Sequence, residues 1–242
     1  KPGDFSNVGL PKDVISFNEW LKALPHKHKI VIAGNHDVTF DTERYETTLR
    51  ERVITFSLLI RVILALSQQF HRVSDDPIKS EDVKALLTNC TYLEDSSVTI
   101  EGYKIHGSPW TPEFCGWAFM LENEKDMLKK WKMIPDDTDI LITHGPPYGK
   151  DNFVLRCLGC AAGILDQVFP GKKNVGCKML VKEVLDRVKP LYHIFGHIHE
   201  AYGQVKIDNT TFINASTCTL RYKPQNPPVV FDLPIKSKLT QS

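Results

Sequence analysis

A chain of 242 residues carrying 30 Lys and Arg against 29 Asp and Glu has no charge excess, which argues against a broad nucleic-acid-binding face. Its hydrophobic content of 42% and aromatic content of 10% are those of a folded protein, and the length is enough to bury a sizeable core. The six cysteines, Cys90, Cys115, Cys157, Cys160, Cys177 and Cys218, are scattered rather than arranged as a small secreted disulfide framework, so reduced thiols in a cytoplasmic protein are expected.

Residues 11–24, PKDVISFNEWLKAL, space Val14, Phe17, Leu21 and Leu24 by three and four, which predicts a helix with Pro11 in its first turn and Pro25 as its stop. KIVIAGNHD then reads as a short buried strand running into a Gly-Asn turn. Residues 54–66, ITFSLLIRVILAL, are apolar at ten of thirteen positions. A membrane span needs roughly 20 such residues, and Arg61 interrupts this run. A buried helix is expected there, with an interfacial membrane segment as the alternative. Helices are also expected at about 80–88, 122–132 and 177–188. SSVTIEGYKIHG reads as a hairpin turning at Glu101-Gly102. YKIHGSPW, TDILITHGPP and LYHIFGHIHE read as strands ending in glycine- or histidine-bearing loops, and TTFINAST and PVVFDLP as two more strands. Strands interleaved with helices predict the α/β class, with helices covering sheet layers, and no repeat or low-complexity segment divides residues 1–242.

The chemistry-bearing residues sit where these strands end, the place where open α/β sheets bind ligands. Four motifs do so: Gly3-Asp4, Gly34-Asn35-His36-Asp37, Thr143-His144-Gly145 and Gly196-His197-Ile198-His199. Carboxylate, amide oxygen and imidazole together suit Mn, Fe, Zn or Ni rather than Ca or Cu(I). A carboxylate has two oxygens and can bridge two ions. His197 and His199, two apart after a glycine, can reach neighbouring metals. Single histidines elsewhere, His26, His28, His71 and His193, are expected to be structural, with His106 undecided. Cys157-Leu-Gly-Cys160 has redox or metal spacing, but no second pair or nearby His pair completes a site, so chance spacing is the default.

In this order, GD, GNHD, THG and GHIH resemble the calcineurin-like metallophosphoesterase superfamily. Longer stretches, among them GDFSNVGLP, KIVIAGNHD, DILITHGPP, FGHIHEAYG and INASTCTLRYKPQNPPVVFDLP, are similar to the animal metallophosphoesterase domain-containing proteins of the fetal-brain-protein type. The resemblance implies a four-layer αββα sandwich with a two-metal site at the strand ends, Mn being the first candidate. It implies that Asp4 bridges the metals, that Asn35, His144 and His197 complete one of them, and that His199 serves the other. It further implies that His36 stabilises the transition state or protonates the leaving oxygen, with Asp37 orienting its ring. Such a centre clamps phosphoryl oxygens and lowers the pKa of water toward about 7.

Three stretches depart from the family pattern. The family begins with an Asp-x-His motif on an earlier strand, and only Lys1-Pro2-Gly3 precedes Asp4; an N-terminally incomplete sequence is the expectation. Residues 52–72 diverge, and residues 150–176 look like an insertion. The function expected is a metal-dependent phosphodiesterase acting on a nucleotide or other small phosphodiester, by resemblance a cyclic nucleotide. The alternative is a weakly active or inactive relative that binds a nucleotide or a protein. Trp110 and Tyr148, on loops after strands, are candidates to stack a base, with core packing as the bland alternative.

Overall fold

The computed structural model describes residues 1–51, 53–55, 79–149, 166–168 and 173–236. The apolar run 54–66 falls almost wholly outside the described residues, as do His71, Cys157 and Cys160. No helix among the described residues is long and apolar enough to cross a membrane.

Helix α1, Pro11–Ala23, forms where the spacing predicts it, with proline at its start, Asp13 in its first turn, Lys22 in its last, and Val14 and Leu21 buried. Strand β1, Ile30–Val31, pairs in parallel with β2, Thr91–Tyr92, and Pro2 bridges Ile32 in parallel alongside. Between them lie α2, Thr42–Arg44, continued by a wider turn at Tyr45–Leu49, and α3, Ser80–Lys84. The expected hairpin is β3, Ser96–Ile100, and β4, Tyr103–Ser108. Its two turn residues, Glu101 and Gly102, both have positive φ (49° and 82°), the geometry that matches the twist of a two-residue hairpin.

A short parallel pair follows, β5 at Thr111–Pro112 and β6 at Met120–Leu121. Helix α4, Glu124–Lys132, is capped by the Asn123 side chain, which accepts from the Lys125 N–H at 2.7 Å. Strand β7 is Ile140–Thr143, and a small antiparallel pair is formed by β8, Gln167–Val168, and β9, Lys173–Asn174. Helix α5, Lys178–Lys182, widens into a π-helical turn at Glu183–Val188 and stops at Lys189 in a left-handed conformation. Strand β10 is Tyr192–Phe195, β11 is Gly203–Ile207 and β12 is Thr210–Asn214.

The large sheet runs β11-β12-β10-β7-β4-β3. Its four inner strands are parallel to one another and its two edge pairs antiparallel. Alternation along the strands sorts the core into layers. Ile30, Ile32 and Leu93 of the small sheet meet Ile105, Ile140 and Ile142 of the large one. On the outer face of the small sheet Ala33 joins Val14 of α1, Tyr45 and Leu49 of the wider turn after α2, and Val83 of α3. On the far face of the large sheet Leu141, Phe195 and Phe212 pack under Trp131 of α4 and Leu180 of α5. The result is helix on sheet on sheet on helix, the four-layer αββα sandwich.

Two segments differ from expectation. PVVFDLP joins no ladder. Pro228 and Pro234 supply no N–H. The segment instead straps the open side of the sandwich, with Phe231 stacked on Tyr192 at 4.1 Å, Leu233 against the inter-sheet core and the Pro234 carbonyl accepting from the Tyr103 hydroxyl. Strand β11, by contrast, forms without having been expected. It alternates half-buried Val205 and Ile207 with exposed Gln204 and Lys206, as an edge strand does.

Candidate metal centre

Strands β7 and β10 are parallel neighbours, so His144 and His197, each just past a strand end, emerge on the same edge of the sheet. The Gly196 N–H donates to the His144 carbonyl at 2.9 Å, tying the two turns together. Strand β1 and the Pro2 bridge bring Asn35 and Asp4 to the same place from the small sheet. Gly34 makes this approach possible. A Cβ there would sit 2.4 Å from Asp4 Oδ1 and 2.5 Å from His144 Cε1. Asp4 and His197 both hold positive φ, 52° and 66°, a costly backbone state for non-glycine residues that clusters at functional sites.

Ligand atoms of Asp4, His144 and His197 lie within 4.8 Å of one another. His144 Nδ1 is 2.8 Å from the Pro2 carbonyl oxygen. A carbonyl only accepts, so Nδ1 carries the proton. Burial lowers the pKa of His144, favouring the neutral ring, and Nε2 is then a lone pair. That lone pair faces two other acceptors, Asn35 Oδ1 at 2.8 Å and Asp4 Oδ2 at 3.4 Å. Burial, reinforced by His144, likewise lowers His197 to about 3, keeping it unprotonated. Burial opposes ionisation of Asp4, but the imidazoles of His144, His36 and His197 and a 3.0 Å bond from the His36 N–H leave its pKa below the ordinary value. Carboxylate, amide oxygen and two neutral imidazoles thus converge with no shared proton between them. A divalent transition metal fits such a donor set.

His199 begins a short turn, His199–Ala201, and its ring lies edge-on to Tyr222 at 5.2 Å. The structure does not bring it into the Asp4–His144–His197 group. His36 stands beside the cluster, its Nδ1 3.2 Å from the Asn7 carbonyl and its ring 4.5 Å from that of Trp117.

Asp37 is placed differently from what the resemblance implies. Its carboxylate accepts from the Asp4 N–H (2.9 Å) and the Gly34 N–H (2.8 Å) on one oxygen, and from the Ser6 N–H (3.0 Å) and hydroxyl (2.6 Å) on the other. These partners occupy it as a staple between the two loops, and the bond orienting the His36 ring comes from Asn7 instead. Full burial, then the nearby Asp4 charge, push the Asp37 carboxyl up to about 7 despite these bonds.

Trp110 is packed against the core, and both it and Tyr148 have a lysine ammonium beside the ring. Trp110 lies edge-on to Phe119 at 5.5 Å, donates from Nε1 to Asp95 at 2.8 Å and has the Lys130 ammonium 4.1 Å above its ring. Tyr148 has the Lys178 ammonium 5.5 Å from its ring centre. The aromatics beside the site histidines are Trp117 and Tyr222, which the sequence reading missed. Their only signal was position, on glycine- and proline-punctuated loops with no strand pattern of their own. His26 and His28 are exposed, while His106 and His193 are buried, each with one ring nitrogen bonded and one without a partner.

The model of the calcineurin-like phosphoesterase family matches residues 2–201. This chain belongs to that family. As a calcineurin-like phosphoesterase it has close relatives in mammals: metallophosphoesterase domain-containing protein 1 of Homo sapiens and its namesake in Mus musculus are each 45% identical to it over 232 residues, 96% of this chain and 63% of theirs. The chain thus spans less than two thirds of those relatives' length. A solved structure at 13% identity superposes with a TM-score of 0.51 over 85% of this chain and 63% of the other, a likeness of fold alone. The residues that converge in the candidate centre, Asp4 to His197, all lie within the matched span.

Proposed function

We propose that this phosphoesterase is a phosphodiesterase that hydrolyses cyclic nucleotides through a dinuclear centre, with Mn²⁺ as the first candidate metal and Fe, Zn or Ni as alternatives. The observation that carries it is the meeting of unprotonated acceptors from Asp4, Asn35, His144 and His197. When bound, divalent ions supply Lewis-acid polarisation of the phosphoryl oxygens and a hydroxide nucleophile near neutral pH. Asn35, His144 and His197 would hold one ion, Asp4 would serve both, and His199 would serve the second. His36, with Nδ1–H held on the Asn7 carbonyl, leaves Nε2 for the substrate side, and as the imidazolium it gives the Nε2 proton to the leaving oxygen and returns to the neutral ring. Trp117 limits the rotation of that ring, and Asp37 fixes the loops that carry Asp4 and Asn35.

A second reading, a nucleotide- or protein-binding relative with little turnover, is favoured by one observation. His199 stands outside the Asp4–His144–His197 group, its ring edge-on to Tyr222 at 5.2 Å. Titrating the chain with Mn²⁺ by calorimetry, and assaying it on an aryl phosphodiester and on 2′,3′- and 3′,5′-cyclic nucleotides, separates the two. Uptake lost in His144→Ala together with turnover of a cyclic nucleotide supports the enzyme. Uptake without turnover of any diester supports the binding protein. No uptake at all defeats the metal-dependent enzyme.

A further inference from the structure

Beneath the cluster, two side chains cross-link the strands that deliver His144 and His197. Thr143, the last residue of β7, and His193, on β10, are both fully buried. Thr143 Oγ1 lies 2.7 Å from the Gly145 carbonyl oxygen and 2.9 Å from His193 Nε2. A hydroxyl has one proton, and the carbonyl can only accept, so that proton goes to Gly145. The contact with His193 then requires a proton on Nε2, which leaves Nδ1 a bare lone pair. Nδ1 is buried without a partner, in a ring set 5.1 Å from Phe195 and 5.7 Å from Phe212. An apolar ring would fill this aromatic niche without leaving a polar atom unsatisfied. A buried polar atom kept at such a cost calls for a reason, and the bond to Thr143 supplies one.

We propose that His193 and Thr143 are positioning residues for His144. The relay from His193 Nε2–H to the Thr143 hydroxyl, and from that hydroxyl to the Gly145 carbonyl, fixes the backbone on both sides of His144. With its neighbours held, the His144 ring keeps Nδ1 on the Pro2 carbonyl and Nε2 on Asn35 and Asp4. Gly145 is clamped from the other side as well, since a Cβ there would lie 2.4 Å from Thr111 Oγ1. The role in metal binding rests on the proposed metal centre, whereas the effect on His144 does not.

The test uses His193→Phe, which keeps the aromatic volume, Thr143→Val, which keeps the shape, Thr143→Ser, which restores the hydroxyl, and the Phe/Val double variant. Mn²⁺ affinity is expected to fall about 10-fold or more in the Phe and Val variants, to return in Thr143→Ser, and to be no lower in the double variant than in Thr143→Val. In the metal-free chain, the slowly exchanging Nδ1–H resonance of His144 should be visible in the native and Ser proteins and lost in the Phe and Val proteins. In the native protein, ¹⁵N shifts should show His193 as the Nε2–H tautomer. An Nδ1–H tautomer, an unchanged His144 resonance in His193→Phe, or a multiplicative loss in the double variant overturns the relay. A native chain that takes up no Mn²⁺ defeats the metal centre, and the His144 resonance and the His193 tautomer still decide the relay.

Discussion

Acid should destabilise this protein through His193 in a way one substitution removes. The imidazole is fully buried, and burial lowers its pKa from 6.5 to about 3. Between those values the unfolded chain binds a proton that the folded chain refuses, so stability rises with pH across that window. The contribution is fully present above the unfolded pKa and is lost progressively as pH falls from about 6.5 toward 3. Going from about pH 7.5 to about pH 5 therefore costs roughly 2 kcal/mol from this one group, since each unit in the window is worth about 1.4 kcal/mol. His193→Phe has nothing to protonate and should lose that much less. Urea unfolding of the metal-free protein and the variant at both pH values measures the difference. His193 ligates nothing, so chelation does not confound the comparison. An equal loss of stability in both proteins would refute the claim that the folded state keeps this ring neutral.

Four further outcomes are expected. Gly34→Ala forces a methyl into Asp4 Oδ1 and His144 Cε1, so Mn²⁺ affinity by calorimetry should fall, with overpacking costing about 1–3 kcal/mol in thermal unfolding. Asp41→Ala removes the acceptor for the Phe119 N–H at 2.7 Å and the Arg44 N–H at 3.2 Å, and should cost about 1–3 kcal/mol by urea unfolding. Trp131→Ala empties the site of a fully buried indole whose Nε1–H meets Cys177 Sγ at 3.2 Å, and about 3–5 kcal/mol should be lost. Trp117→Ala frees the His36 ring and should slow diester turnover about 10- to 100-fold while leaving Mn²⁺ affinity unchanged.

The sequence shows the strands of the candidate site because each is a short apolar run that stops at a glycine-bearing polar motif. β7 ends at Thr143 and β10 at Phe195, where TDILITHGPP and LYHIFGHIHE change character. The helix ends were less visible. The stretch 177–188 reads as one helix because its apolar spacing is continuous, yet hydrogen bonding changes inside it at Glu183. PVVFDLP has strand composition, but strand pairing needs N–H donors that its prolines lack. Trp110 looks like a stacking platform because it follows a strand, but only the tertiary structure shows that Asp95 and Lys130 already occupy its N–H and one face.

The role of Asp37 shows where local sequence stops being informative. Next to His36 in the chain, it invites a bond between the two side chains. The short turn after Asn35 instead folds its carboxylate back, with the Asp37 N–H on the Gly34 carbonyl at 3.1 Å and the carboxylate on N–H groups of Gly34, Asp4 and Ser6. Two of those donors lie more than thirty positions away, so no spacing rule could have named them. The carboxylate is kept buried, at a cost its raised pKa records, because with the His36 N–H on Asp4 Oδ1 it binds the Asp4 loop to the Asn35 loop. Asp4, the candidate ligand with a left-handed backbone, is thereby held in place by the motif that also carries Asn35.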